Sequence, residues 1–310
     1  MRSAGVPDDG GRPIGAPPPQ REDLLHTPDD EWLHLEQFVP PGAPRAVVVF
    51  THGFSSYGAP FRHLAQAFVE AGCAVTLYDA RGHGHSTGQR GYVRDFADYA
   101  DDLGRVVARA REPFPGVPFV LIGHSQGGAV TLDYLLSGAR ADRPLPACAV
   151  AATPMLQIIV PIPWYKRVVN AVFGPLFPRV AVPNGITAAM VSRNDVIRAA
   201  FQRDPLVHHV ATARWFKTAE EAERRVLAAA PALPVPTLLL TAGQDRIVST
   251  AAQDAFAGAA PPDLLQQRRY PELYHELFME PERDRVIADV VSWVVSRVVS
   301  RVAPGAGAVG

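Results

Sequence analysis

The chain has 310 residues, of which 47% are hydrophobic and 20% are charged, and its formal net charge is -1. This apolar fraction is ample for a large core and excludes wholesale disorder. The balanced charge gives no reason to expect a nucleic-acid partner, which would require an excess of Lys and Arg. The two cysteines, Cys73 and Cys148, are too few for a disulfide framework or a zinc site, so we expect buried thiols.

Both ends of the chain are expected to be disordered tails, at residues 1–22 and 304–310. The first is rich in Pro, Gly and Asp and lacks the apolar segment of a secretory signal. No run of 18 uncharged apolar residues predicts a transmembrane helix. The nearest candidate, 286–302, spaces its valines by four and carries charges, which indicates an amphipathic final helix on the sheet. We expect a cytoplasmic protein, with peripheral membrane contact as the alternative.

Short apolar runs alternate with helix-like segments along the chain. Continuous apolar runs are typical of strands buried on both faces of a parallel sheet. Their alternation with helices predicts an α/β fold with a mostly parallel central sheet flanked by helices. The predicted strands are 46–50, 74–78, 119–122, 147–151, 237–240 and 264–267, with 32–38 as an antiparallel edge strand. The predicted helices are 61–71, 96–111, 126–137 and 251–259.

Residues 153–233 interrupt this alternation and show no convincing strand. They begin with an apolar segment broken by prolines and continue with helix-like patches. We therefore predict an inserted, mostly helical lid, which leaves a core of residues 23–152 and 234–303. The helix-like patches lie at 166–173, 195–203 and 211–229.

A G-x-S-x-G motif, Gly123-His124-Ser125-Gln126-Gly127, stands between a predicted strand and a predicted helix. In this context the motif forms a sharp turn that lifts the serine hydroxyl above the sheet edge. A serine hydroxyl is a weak nucleophile and therefore needs a general base. The sequence thus predicts Ser125 as a nucleophile.

The acid and the base are expected later in the chain, in the order Ser, acid, His. Asp245 and His275 each follow a predicted strand, so both lie where open α/β sheets build their sites. We predict that His275 accepts the Ser125 proton and that Asp245 holds the imidazole tautomer. The alternative acids are Asp254 and Asp263.

The backbone N–H groups of Phe54 and Gln126 are the predicted oxyanion-hole donors, because one follows the first strong strand and the other follows the nucleophile. Each such donor contributes roughly 3–4 kcal/mol of transition-state stabilisation. His52 is expected to be a structural loop histidine. His83 and His85 lack a further ligand at suitable spacing, so we predict no metal site and no cofactor.

Besides the G-x-S-x-G motif, several short sequence segments resemble those of a known family. Over residues 25–300 the chain resembles the α/β-hydrolases of the monoacylglycerol lipase and lysophospholipase group, which are serine aminopeptidase S33-like hydrolases. The resemblance implies the α/β-hydrolase fold, a catalytic triad of Ser125, Asp245 and His275, and a lid that shapes an acyl tunnel. It also implies that the substrate is an ester of one long acyl chain, with monoacylglycerol as the first candidate. The blocks are His52-Gly53, 81–88, Gly91-Tyr92-Val93, the F-x-x-Y-x-x-D-L block at 96–103, Ser192-Arg193-Asn194, Asp204-Pro205-Leu206-Val207 and Tyr270-Pro271-x-x-Tyr274-His275-Glu276.

The chain also departs from that family. Residues 55–60 (Ser-Ser-Tyr-Gly-Ala-Pro) stand where monoacylglycerol lipases usually show an acidic residue, a histidine and an arginine. Gln126 replaces a common methionine, and this change leaves the backbone donor intact. The apolar start of the lid suits a tunnel lining, with ordinary lid core as the alternative. The candidate lining residues are Met155, Leu156, Ile158, Ile159 and Trp164.

Other functions remain open. The first is a lysophospholipase or broad carboxylesterase, and the second is a cofactor-free peroxidase or a proline-type aminopeptidase. An aminopeptidase would need lid carboxylates, but Glu220, Glu221 and Glu223 alternate with arginines as on a solvated helix face. The third is a non-catalytic binding protein, which would typically lack a complete triad. The expected partner is a small-molecule lipid ester, with transient membrane contact through the lid; the oligomeric state is not indicated. Candidate rings for a choline head group are Tyr57, Trp164 and Trp215.

Overall fold

The computed structural model describes residues 18–137, 143–161 and 176–302. The strands within these ranges are β1 (Arg21–His26), β2 (Trp32–Phe38), β3 (Val47–Thr51), β4 (Ala74–Tyr78), β5 (Phe119–His124), β6 (Cys148–Ala152), β7 (Ala181–Pro183), β8 (Val210–Thr212), β9 (Thr237–Ala242) and β10 (Leu265–Tyr270). The α-helices are α1 (Arg62–Glu70), α2 (Ala97–Arg111), α3 (Gln126–Leu136), α4 (Ala188–Val191), α5 (Asp195–Arg203), α6 (Ala213–Ala229), α7 (Thr250–Ala259) and α8 (Arg283–Val302).

Eight strands form one sheet in the order β1-β2-β4-β3-β5-β6-β9-β10. Pairing is parallel from β4 to β10 and antiparallel between β1 and β2 and between β2 and β4. Strands β3 to β6 and β9 are buried along their whole length, as continuous apolar runs predict. Helices α1 and α8 pack together, as do α2 and α3, and all four contact the sheet. The α/β fold class and each core strand and helix predicted from the sequence are confirmed.

Two expectations about the first strands were wrong. The sequence predicted β2 as the edge, but β1 pairs with it along Arg21–His26 and is the edge itself. The strand also includes Arg21 and Glu22, which had been assigned to the N-terminal tail. Its side chains are mostly exposed, so β1 carries too little apolar alternation to be recognised.

The described part of the segment between β6 and β9 contains the helices α4, α5 and α6, but it is not free of strands as predicted. Strands β7 and β8 pair antiparallel as a separate two-stranded sheet. Each has only three residues, which is too short for a periodic signal. Helix α6 begins at Ala213 rather than Ala211, because the Thr212 side chain accepts the Trp215 N–H as an N-cap. The patch predicted at 166–173 lies outside the described residues.

The final helix and the cysteines follow their predictions. On α8, Val290, Val294 and Val298 are buried, as their spacing of four indicates. Cys73 and Cys148 are buried thiols. In the ranges that the structure covers, no helix has both the length and the apolar character needed to cross a membrane.

A buried ion pair ties the loop after β4 to α2. Arg81 donates from Nε and an η nitrogen to both carboxylate oxygens of Asp102, at 2.6 and 2.8 Å. The Asp102 side chain is only 1% exposed, whereas the second partner of Arg81, Asp29, is 39% exposed. The charge of Arg81 is therefore compensated mainly inside the protein.

We expect Asp102→Asn to lower the free energy of unfolding by about 3 kcal/mol, because the change leaves the Arg81 charge buried without its main partner. Asp29→Asn is the matched control and should cost at most about 1 kcal/mol, since that pair is screened by water. Urea unfolding followed by circular dichroism measures both values. Equal losses in the two variants would contradict the prediction.

Candidate active site

Ser125 lies in a strained turn between β5 and α3. Its φ of 54° and ψ of −116° are values that residues with a side chain rarely adopt. A Cβ added to Gly123 would lie 2.1 Å from the Gly127 carbonyl oxygen, and one added to Gly127 would lie 2.1 Å from the Thr51 oxygen. Only glycine at both positions allows α3 to approach β3 this closely.

The structure brings the three predicted catalytic residues together. His275 Nε2 lies 2.8 Å from Ser125 Oγ, and His275 Nδ1 lies 2.7 Å from Asp245 Oδ2. The other oxygen of Asp245 accepts the backbone N–H groups of Ile247 and Val248 at 2.8 and 3.0 Å. The carboxylate is therefore held on both sides, and its bond to Nδ1 leaves Nε2 to accept a proton from the serine hydroxyl.

Burial and charge act in opposite directions on His275. Its side chain is 4% exposed and that of Asp245 is fully buried. Burial lowers the pKa of His275, but the Asp245 carboxylate outweighs burial and raises this pKa above its ordinary value. The imidazole is thereby a better base than in water, and its protonated form is stabilised.

Each of these groups stands on a loop at the carboxyl end of a parallel strand. Ser125 follows β5, Asp245 follows β9, His275 follows β10 and Phe54 follows β3. These strands are contiguous in the sheet apart from β6. The arrangement agrees with the rule that open α/β sheets build sites at this edge.

The loop that carries His275 is anchored from two sides. The His275 carbonyl oxygen accepts hydrogen bonds from His124 Nε2 and Thr153 Oγ1, both at 3.1 Å. His124 is thus directed at the loop backbone and not at the Ser125 hydroxyl. His52 is likewise fully used, since its Nε2 accepts the Ala80 N–H at 2.9 Å and its Nδ1 donates to the Gly53 oxygen.

Glu280 supplies an anchor that the sequence did not reveal. It is completely buried and accepts hydrogen bonds from Ser192 Oγ at 2.6 Å and from the Arg193 backbone and side chain at 2.7 and 2.6 Å. A fourth bond comes from the Tyr274 N–H at 3.1 Å. The S-R-N block therefore clamps the histidine loop, but residues 88 positions apart give no local pattern that predicts this contact.

The two predicted oxyanion donors lie near the nucleophile. Gln126 is the first residue of α3, so its N–H has no intrahelical acceptor. A Cβ on Gly53 would lie 3.1 Å from Ser125 Cβ, so the loop leading to Phe54 passes directly beside the serine. The Phe54 ring stacks on Trp215 at 4.0 Å, and Trp215 Nε1 donates to Gln126 Oε1 at 3.0 Å. Trp215 of α6 thus holds both residues, a link that the sequence did not predict.

A mostly apolar cavity opens beside Ser125 and His275. Of the five lining candidates from the sequence, Met155 and Ile158 line it. Leu156 is buried elsewhere and Ile159 is 45% exposed, so neither is in the lining; Trp164 lies outside the described residues. The further lining residues are Phe54, Val160, Asn184, Ile186, Val191, Phe201, Trp215, Phe216, Ile247, Val248 and Glu276.

One helix-face prediction is corrected. Glu220 and Glu221 are exposed on α6 as expected, but Glu223 is 7% exposed and packs inward. Burial, with a smaller contribution from Glu220, raises the pKa of Glu223 to about 8. The alternation of signs in the sequence did not distinguish the inward position from its neighbours. Within the residues described, no group of three or more His, Cys, Asp and Glu side chains is placed to hold a metal ion.

Residues 42–282 match the family model Hydrolase_4, whose description is serine aminopeptidase, S33. A monoacylglycerol lipase of Mycolicibacterium smegmatis is 32% identical over 83% of this chain and 90% of its own length. Phospholipase YtpA of Bacillus subtilis is 29% identical over 78% of this chain and 92% of its own. The crystal structure of Paleococcus ferrophilus monoacylglycerol lipase shares the fold, with a TM-score of 0.75 and 24% identity over 86% of this chain and 99% of that one.

Proposed function

We propose a specific reaction for this chain, which belongs to the serine aminopeptidase S33 family and is a serine hydrolase of carboxylic esters. The proposed reaction is cleavage of monoacylglycerols through an acyl-enzyme on Ser125. The observation that carries this proposal is the hydrogen-bonded series Ser125, His275 and Asp245 at the wall of an apolar cavity. Such a cavity suits one acyl chain, because burial of its methylene groups favours binding.

The proposed reaction has two halves. Ser125 Oγ attacks the ester carbonyl while His275 Nε2 takes the hydroxyl proton, and the oxyanion is received by the N–H groups of Phe54 and Gln126. The tetrahedral intermediate collapses with transfer of that proton to the leaving alcohol, which departs as glycerol. Water then repeats the sequence on the acyl-enzyme and releases the fatty acid.

We further propose that residues 153–233 form the lid of this site. The described part of this segment contributes much of the apolar lining, from Met155 to Phe216. Leu176, Phe177 and Val180 of the same segment are 71%, 57% and 57% exposed. Exposed apolar side chains in the same chain segment that lines the cavity support the predicted transient contact with a membrane surface, from which a monoacylglycerol has to be taken.

A lysophospholipid is the second candidate substrate, because one relative is named a phospholipase. Two of the three candidate rings for a choline group, Tyr57 and Trp215, already have partners; the third, Trp164, lies outside the described residues. Trp215 is stacked and hydrogen-bonded as described, and the Tyr57 hydroxyl donates to Asp204 at 2.7 Å. Tyr57 does not line the cavity, and one face of the Trp215 ring is covered by Phe54, which favours the uncharged glyceride.

The test is fatty-acid release from a monoacylglycerol and a lysophosphatidylcholine with the same acyl chain, with Ser125→Ala as the blank. We expect a clear preference for the glyceride. Preference for the lysophospholipid would replace the substrate class. Hydrolysis of neither, with a fluorophosphonate adduct still formed on Ser125, would keep the serine hydrolase and reject the lipid.

A further inference from the structure

Besides Ser125 and His275, two other polar side chains line the cavity. These are Asn184 and Glu276. The Asn184 amide already has partners, because its nitrogen donates to Ser55 Oγ and its oxygen accepts the Ile186 N–H, both at 3.0 Å. Glu276 differs: its Oε2 is buried and has no hydrogen-bond partner in the described chain. A buried polar atom without a partner costs free energy, so a partner from the substrate would relieve that cost.

The surroundings of Glu276 favour its neutral form. Its Oε1 lies 3.6 Å from His124 Nδ1. Because His124 Nε2 donates to the His275 carbonyl oxygen, Nδ1 presents a lone pair, which repels a carboxylate and accepts from a carboxylic acid. Burial lowers the pKa of His124 to about 3, so this imidazole stays neutral and does not compensate a negative charge.

Burial is the largest influence on the pKa of Glu276. Burial raises the pKa of Glu276 to about 7; the opposing influence of His275 is smaller, and the carboxylates of Asp245 and Glu280 add to the rise. A neutral carboxyl both donates and accepts hydrogen bonds, which matches a hydroxyl group. A fixed carboxylate would instead match an ammonium group.

The backbone holds Glu276 in place. Its N–H donates to the Val191 oxygen at 3.0 Å, and its own carbonyl oxygen accepts from Met279 and Glu280 at 2.7 and 3.1 Å. Val191 also lines the cavity. The carboxyl is therefore carried by a fixed backbone next to His275, the residue proposed to hand its proton to the leaving alcohol.

We infer that Glu276 is a specificity-determining residue that hydrogen-bonds a free hydroxyl of the alcohol part of the ester and thereby favours uncharged polyol esters over simple alkyl and cationic ones. The inference rests on the proposed function, since it concerns the leaving group of the same reaction. It assigns the recognition of glycerol to the histidine loop.

The test compares kcat/KM for a monoacylglycerol and for the methyl ester of the same fatty acid in matched micelles. Glu276→Leu should lose about 10-fold on the glyceride and change little on the methyl ester, because only the glyceride offers hydroxyl groups. Glu276→Gln retains a donor and an acceptor and should lose less. The control is Glu272→Gln, which changes an exposed carboxyl on the same loop and should alter kcat/KM for neither ester.

The outcomes separate this inference from the proposed function. Equal losses of Glu276→Leu on both esters would assign Glu276 to the positioning of His275, and no loss on either ester would show that Glu276 takes no part in recognition; either result overturns the inference alone. Wild-type protein that cleaves the methyl ester as well as the glyceride would also overturn the inference alone, whereas wild-type protein that does not cleave the glyceride would overturn the proposed function and the inference with it. Circular dichroism checks folding, and Glu276→Ala replaces the leucine variant if that side chain does not fit.

Discussion

Replacement of Ser125 by alanine is expected to lower kcat/KM for ester hydrolysis by about 10⁵- to 10⁶-fold, because the change removes the atom that forms the acyl-enzyme. The fold should remain intact. The backbone bonds of residue 125 survive the substitution: its N–H donates to the Ala152 oxygen at 2.9 Å, and its oxygen accepts from Ala129 and Met155, both at 3.0 Å. The hydroxyl contributes only its contact with His275.

The strained backbone at this position supplies a control. Ser125→Gly should be as inactive as Ser125→Ala but more stable than it by about 1 kcal/mol, since glycine adopts a φ of 54° without strain. Steady-state kinetics and thermal unfolding measure the two effects separately. Activity near that of the wild type in either variant would refute the assignment of the nucleophile.

The position of the nucleophile can be predicted from the local sequence, because the strained turn between β5 and α3 is a local structure. Gly123 and Gly127 are required by contacts within one turn and its neighbouring strand, so the motif and its strand–helix context identify Ser125 together. The strands β9 and β10 then place Asp245 and His275 at the same sheet edge, which the order of elements already predicts.

The residues that line the cavity are harder to predict from the sequence, because they come from separate segments of the chain. Leu156 and Ile159 are apolar residues close to Met155 and Ile158, yet one is buried elsewhere and the other faces outward. All four residues are apolar, so only the three-dimensional path of this irregular segment separates them.

The burial of charged residues is likewise difficult to predict from the local sequence. Glu223 and Glu276 stand in polar stretches that suggest solvated faces, but both are withdrawn from water. The N-terminal strand shows the converse, since β1 is ordered although its composition is polar. For Glu276 the side chain that it faces, His124, lies far away in the chain, whereas β1 is ordered by pairing with the next strand, β2.

His275→Ala is expected to reduce kcat/KM about as strongly as Ser125→Ala, because a serine hydroxyl without its base is a weak nucleophile. The rate of Ser125 labelling by a fluorophosphonate should fall with it. Neither His52 nor His124 stands ready to replace it: both nitrogens of His52 are engaged, and His124 donates to the loop backbone. A mild loss would therefore indicate a base outside the proposed triad.

The double variant Ser125→Ala/His275→Ala distinguishes a cooperative triad from two independent contributions. If the two residues act as one unit, as their 2.8 Å contact implies, the double variant should be no slower than either single variant. The remaining rate would then come from the N–H groups of Phe54 and Gln126 and from binding in the cavity, which neither substitution touches. Losses that add in free energy would mean that His275 and Ser125 serve separate steps, and the acyl-enzyme mechanism would have to be abandoned.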